Sequence, residues 1–156
     1  LKRKEINFAP PKKSSDKEKI TKTRETVSQK SIKSVNFQPV DLRDSENKLG
    51  LGKSTIKNLK RGLYKNNAKI DLHGMNLNTA EKSLTSFILN QFENENRNLL
   101  VISGKGVFGQ GKIRREIPIW FGKNPLKNII YAYTNALQRD GGEGAFYIRL
   151  RKKNKY

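Results

Sequence analysis

The chain has 156 residues, with 33 Lys and Arg against 14 Asp and Glu for a net charge of +19, and no cysteine. Its length allows one domain with tails, the lack of cysteine excludes a disulfide framework and thiolate metal sites, and a single histidine excludes a histidine-rich zinc centre. Only 34% of residues are apolar and mean hydropathy is −0.80, too polar for the whole chain to share one core.

An isoelectric point near 10.2 favours an anionic partner, most simply nucleic acid. A solubilising charge excess, or an AT-rich genome's use of Lys and Asn, would give the same balance. No apolar run approaches the roughly 18 residues that cross a membrane, and no amino-terminal segment has signal-peptide character. A cytoplasmic protein with no membrane contact is expected. The chain begins with Leu1 rather than Met, as expected of a fragment or an unusual start codon.

In chain order, residues 1–53 read as a basic extension. Pro10-Pro11, scattered Lys and Ser, and few large apolar residues cannot offset the entropy of ordering, which predicts disorder. The short apolar islands Ile6–Phe8, Val35–Phe37 and Val40–Leu42 are either docking segments that order on a partner or simply unstructured. Residues 54–68 form a lead-in with a short basic helix over 54–62. Ser54 or Thr55 would cap it, Ile56 and Leu59 share a face, and Gly62 stops it.

Residues 69–151 alternate as a compact domain does. Ile70 and Leu72 interleave with Asp71 and His73, the period of a strand with one buried face, over 69–73. Asn78 to Glu81 has the spacing of a capping box, and Ala80, Leu84, Phe87, Ile88 and Phe92 fall on one face of a helix over 79–92. Residues 98–102 are nearly all apolar, as in a strand covered on both sides. A glycine-rich turn, Gly104 to Gly111, leads into a helical pattern of Ile113, Ile117, Trp120 and Phe121, with Pro118 expected to kink it or restart it. Residues 129–133 and 145–151 complete the set as strands, and the basic tail 152–156 is expected to fray.

The order is βαβαββ, an α/β fold. Right-handed crossovers make the first three strands parallel, and the last is most simply antiparallel to the third. Three segments should then meet at one sheet edge: Asp71 to Gly74, Ser103 to Gly106, and the loop of Gly141, Gly142 and Gly144. Open α/β sheets bind ligands at that edge.

Two phosphate motifs nearly match and fail. Gly104 to Gly109 spells G-x-G-x-x-G, but no acidic residue follows at the end of the next strand, and the domain is small for a dinucleotide. Gly106, Gly111 and Lys112 resemble a P-loop, but Ile113 stands where Ser or Thr would bind magnesium. No small-molecule cofactor is expected. The turn still offers backbone N–H groups to a phosphate, with Lys105 and Lys112 adding charge. His73 alone is more often a hydrogen-bonded structural residue than a catalyst, and Asp71 could merely cap a turn.

Taken together, Ile70-Asp-Leu-His-Gly74, Thr79-Ala-Glu81, Val101-Ile-Ser-Gly-Lys-Gly106 and the segment from Gly141 to Arg151 closely resemble the Smr (small MutS-related) domain, in its short stand-alone bacterial type, over residues 69–151. The resemblance implies a fold similar to the carboxyl-terminal domain of bacterial translation initiation factor three. It also implies endonuclease activity on DNA or RNA, in some members on ribosomes. Carried over, Asp71 and His73 fall at the cleavage motif and Gly104, Lys105 and Gly106 at the substrate-binding turn. Ser103 replaces the commoner Thr, and Asp140 stands where His is frequent.

A mechanism follows as an expectation. Histidine titrates near neutral pH and suits His73 to be the base, while Asp71 would orient a water or a cation. Two residues apart on a strand, their side chains would lie roughly 6–7 Å apart and engage one phosphate. Lys105 and the Gly104 and Gly106 amides would hold its oxygens, with Lys112 and Arg114 nearby. RNA cleavage through the 2′-hydroxyl needs no metal, whereas DNA nicking favours Mg2+ or Mn2+; one carboxylate is thin coordination, so no tightly bound metal is expected. The alternative is a non-catalytic adaptor for nucleic acid or the ribosome, gripping through the amino-terminal extension, Arg114-Arg115 and residues 149–153.

Overall fold

Five strands line up by how apolar they are. A computed structural model describes residues 38–44 and 51–154. It forms β1 (Val40–Asp41), β2 (Ala68–Asp71), β3 (Asn98–Ile102), β4 (Ile130–Asn135) and β5 (Ala145–Leu150), in the sheet order β1-β4-β5-β3-β2. The central β5 is buried at nearly every position, whereas β2 alternates half-buried and exposed residues at one edge. That gradient is what a sheet covered on both faces requires of its middle strands and not of its edges. β2 runs parallel to β3 and β1 to β4, while β5 is antiparallel to both of its neighbours. The expected directions hold, and β5 is inserted between β3 and β4.

Three helices cover one face: α2 (Leu77–Glu93), α3 (Lys112–Phe121) and α4 (Leu126–Ile129). Ala80, Leu84 and Ile88 of α2 recur four apart, and all three are buried with Ile117, Trp120 and Phe121 of α3 against Val101, Phe146 and Ile148. The α2 cap is Asn76, whose Oδ1 accepts from the Thr79 amide at 2.8 Å. The helix therefore starts two residues before the capping-box reading at Asn78, because Asn76 already has the extended backbone of a cap. α3 runs through Pro118, whose missing N–H leaves the Arg114 carbonyl without its usual helical donor.

The opposite face carries a second core that corrects the reading of residues 1–53. Helix α1 (Lys53–Lys60) seats Leu59 beside Val40, Leu42 and Leu51, against Leu100, Ala132, Ala145 and Tyr147. Val40 and Asp41 pair with Ala132 and Tyr133, and Asp41 is held by the Arg43 guanidinium at 2.6 and 2.9 Å. Segments 38–44 and 51–53 are thus ordered parts of the domain. Backbone pairing and three aliphatic side chains, Val40, Leu42 and Leu51, suffice where composition alone predicts disorder. The islands at 6–8 and 35–37 lie outside the described residues, as does the rest of the proposed extension. In the tail, Lys153 pairs with Glu93. No helix among the described residues is long and apolar enough to cross a membrane.

Candidate active site

The alternation read at residues 69–73 places Leu72 in the core, fully buried, while Asp71 and His73 project outward. Strand β2 ends at Asp71. Leu72 still donates to the Ile102 carbonyl at 2.7 Å, and the Met75 amide then closes a turn on the Leu72 carbonyl at 3.2 Å. Turning there brings the two polar side chains into direct contact instead of the 6–7 Å expected along a flat strand. Asp71 Oδ1 accepts from the His73 amide at 3.0 Å and lies 2.6 Å from His73 Nδ1.

A carboxylate can only accept, so this contact selects the tautomer with hydrogen on Nδ1 and puts the free lone pair on Nε2. Partial burial pushes the Asp71 carboxyl up. The hydrogen bonds from the His73 ring and amide, with the nearby Lys69 charge, outweigh burial and hold the carboxyl below its ordinary value. The side chains are 71% and 47% exposed for His73 and Asp71. The pair is open to a large substrate.

The glycine turns meet here as the topology predicts. Gly104 approaches so closely that a Cβ on it would lie 3.2 Å from His73 Cβ, and its φ of +77° is a left-handed value that disfavours other residues. Gly144 backs onto the same turn, where a Cβ would come within 3.0 Å of the Gly104 carbonyl carbon. The Gly144 carbonyl accepts from the Ser103 amide, the Gly104 amide and the Ser103 hydroxyl at 2.8, 3.0 and 3.0 Å.

These bonds revise the phosphate contacts expected from the sequence. Ser103, 5% exposed, spends its hydroxyl on fastening two loops together, although it still lines the cleft beside His73. The Gly104 amide is likewise committed, which leaves those of Lys105 and Gly106 without a partner among the described residues. Lys105, Gly106 and Lys112 share an open cleft of about 480 Å³ with His73. Arg114 lies farther along α3 and is partly occupied, with Nη2 donating to the Gly109 carbonyl at 2.8 Å and Nη1 lying 3.5 Å from Glu143.

Arg43 was not legible as a site residue, because it lies in the segment set aside as an extension. It lines a second cleft with Arg114, Arg115 and Asn135, so cationic side chains continue from Lys105 and Lys112 along α3. Asp140 takes a different role. It accepts from the Tyr147 hydroxyl and lies 3.6 Å from Arg139 Nε, while Arg139 Nη2 donates to the Gly62 carbonyl at 3.1 Å. The Gly141 to Gly144 loop is thereby tied to the lead-in behind α1. Among the described residues no three His, Asp or Glu side chains converge as a metal site would need.

An outward Asp–His pair beside a glycine-lysine-glycine turn, at the edge of a mixed sheet, marks an open cleft on a small α/β domain. Residues 70–151 match the Smr domain, and the chain belongs to that family. Among curated relatives, "Probable DNA endonuclease SmrA" of Escherichia coli is 30% identical over 118 residues, covering 74% of this chain and 59% of that protein. "Ribosome rescue factor SmrB" of Aliivibrio salmonicida is 28% identical over 101 residues, covering 65% and 54%. The chain thus spans somewhat more than half the length of these relatives. Among solved structures, YdaL, a stand-alone small MutS-related protein from Escherichia coli, superposes with a TM-score of 0.57 at 30% identity, over 67% of this chain and 79% of that one.

Proposed function

We propose that this protein is an endonuclease that cleaves phosphodiester bonds at the His73 edge of the sheet. The observation that carries this reading is the Asp71 carboxylate held to both the amide and Nδ1 of His73, which orients the ring and leaves Nε2 as a base open to solvent. On RNA, Nε2 takes the proton of the 2′-hydroxyl. The 2′-oxygen attacks phosphorus, the bond to the 5′-oxygen breaks, and that oxygen takes a proton from water, giving a cyclic phosphate and a 5′-hydroxyl end, while Nε2 returns its proton to solvent. Lys105 with the Lys105 and Gly106 amides would hold the non-bridging oxygens as charge builds on them. Asp71 acts here as a positioning residue rather than an independent binder of water or cation.

DNA lacks the 2′-hydroxyl, so a water must attack and Mg2+ or Mn2+ would help. The residues gathered at this edge fit such an ion poorly, since Asp71 is the single carboxylate beside His73 and one of its oxygens is already bonded to the ring and amide. RNA is the substrate the geometry favours.

A second reading, a non-catalytic adaptor, draws support from the cationic run of Arg43, Arg114 and Arg115 and from relatives that carry the name ribosome rescue factor. Contact with a ribosome could then involve the amino-terminal extension. Incubating end-labelled single-stranded RNA and supercoiled DNA with the protein and with His73→Ala, each with and without EDTA, separates the readings. RNA cut in EDTA and spared by His73→Ala, a loss of about 10²–10⁴-fold, is the expected result. Nicking of DNA only with a divalent ion would overturn the metal-free step. Binding with steep salt dependence and no product would favour the adaptor.

A further inference from the structure

We propose that Phe108 is a stacking platform for an unpaired base of the strand whose phosphate lies at His73, so that the site takes single-stranded nucleic acid. The inference rests on the nuclease reading for the placement of the phosphate, and on Phe108 itself for the base.

Phe108 is 95% exposed, and its backbone has φ 55° and ψ 32°, a left-handed conformation that is unfavourable for a bulky side chain. The fold gains no packing from this ring, and glycine would suit the backbone better. A residue kept in an uncomfortable conformation and out in solvent points to a use outside the fold. The loop holding it is fixed at both ends: the Gly111 amide donates to the Lys105 carbonyl at 3.0 Å, and Arg114 holds the Gly109 carbonyl at 2.8 Å. The ring is therefore presented on a braced turn.

Its surroundings select the partner. Val107, Lys105 and Lys112 line the same cleft as His73, and Arg114 grips the residue next to Phe108. An exposed apolar ring on a turn that is flanked in the chain by Lys105 and Lys112 and braced by Arg114 matches a polyanion that carries aromatic faces. A protein partner would call for a broader apolar patch than Val107 and Phe108 supply. Gly104 touches His73, and four residues of fully extended chain span at most about 14 Å, so Phe108 lies within one or a few nucleotides of the phosphate. Base faces are covered by their neighbours in a duplex and free in a single strand, which is where aromatic side chains stack on them.

The test uses the full chain carrying His73→Ala, to prevent turnover, and oligonucleotides with 2-aminopurine placed one to three positions from the preferred cleavage point. We expect 2-aminopurine to be quenched on binding, and Phe108→Leu to abolish the quench and weaken single-strand binding about 5- to 100-fold. Phe108→Trp should restore both, and binding to a matched duplex should be unchanged throughout. Phe108→Gly should lose the quench without any fall in melting temperature, which separates stacking from a role in folding. Equal affinity and quench in Phe108→Leu would overturn the proposal. So would a loss confined to vesicles of anionic phospholipid, which would make the ring a membrane contact. A Phe108-dependent quench in a protein that never yields product would leave stacking standing and remove the nuclease reading; His73-dependent cleavage indifferent to Phe108 would do the reverse.

Discussion

Two aspartates at one edge of the sheet each bind an aromatic side chain, and they do opposite things. Asp71 meets the His73 ring in the open, with both side chains largely in solvent. Asp140 meets the hydroxyl of Tyr147, a residue only 3% exposed in the core beneath α1. The difference lies in what stands behind each aromatic group. His73 follows the end of an edge strand and has the Gly104 backbone close against it, with its side chain 71% exposed. Tyr147 sits in the central strand, with Leu59 and Leu51 over it. Similar pairings thus give a candidate site in one place and a fastening in the other, decided by burial.

The sharpest way to break that contrast is to neutralise each carboxylate. Asp71→Asn should lower cleavage by about 10²–10⁴-fold, since the amide no longer enforces one imidazole tautomer, while chemical denaturation stays within about 0.5 kcal/mol of the parent. Asp140→Asn should do the reverse, losing about 1–2 kcal/mol of stability with cleavage retained. If Asp140→Asn abolished cleavage in a folded protein, the two pairs would not be distinct. Tyr147→Phe, which removes only the donor, should cost about 1 kcal/mol in the same denaturation experiment.

The smallest effect is spectroscopic. Tyr133 is pushed up to about 12 by burial and the nearby Asp41 carboxylate, and Tyr147 is raised by burial and its bond to Asp140. Between the ordinary tyrosine value of about 10 and about 12, the folded protein keeps a proton on Tyr133 that the unfolded chain releases. The stabilisation is complete below that window and is lost as pH rises through it. Ultraviolet titration should show late-ionising tyrosines, and Tyr133→Phe should remove one of them.

Much of the site was legible because strand alternation and loop convergence are local or topological facts. Leu72 inward with Asp71 and His73 outward follows from a period of two. The meeting of the three glycine segments follows from parallel strands with one antiparallel return. The Asp71–His73 bond was not legible, because it depends on the strand stopping at Asp71 and the chain turning at once. The inward hydroxyl of Ser103 was equally hidden, since a small polar residue beside a glycine turn reads as a ligand contact until the backbone that accepts its proton is in place. β1 escaped for a third reason: a two-residue strand held by backbone pairing leaves almost no side-chain signature.

That short strand has a practical meaning. The span matching the Smr domain begins at residue 70, yet β4 finds its outer hydrogen-bonding partner at Val40 and Asp41, and Tyr147 finds its cover in Leu51 and Leu59. A protein trimmed to the matched span would expose a raw strand edge on β4 and an uncovered apolar floor beneath the sheet, the two features that invite chains to associate with one another. The unit of recognition and the unit of solubility therefore have different boundaries, and the second reaches at least thirty residues further upstream.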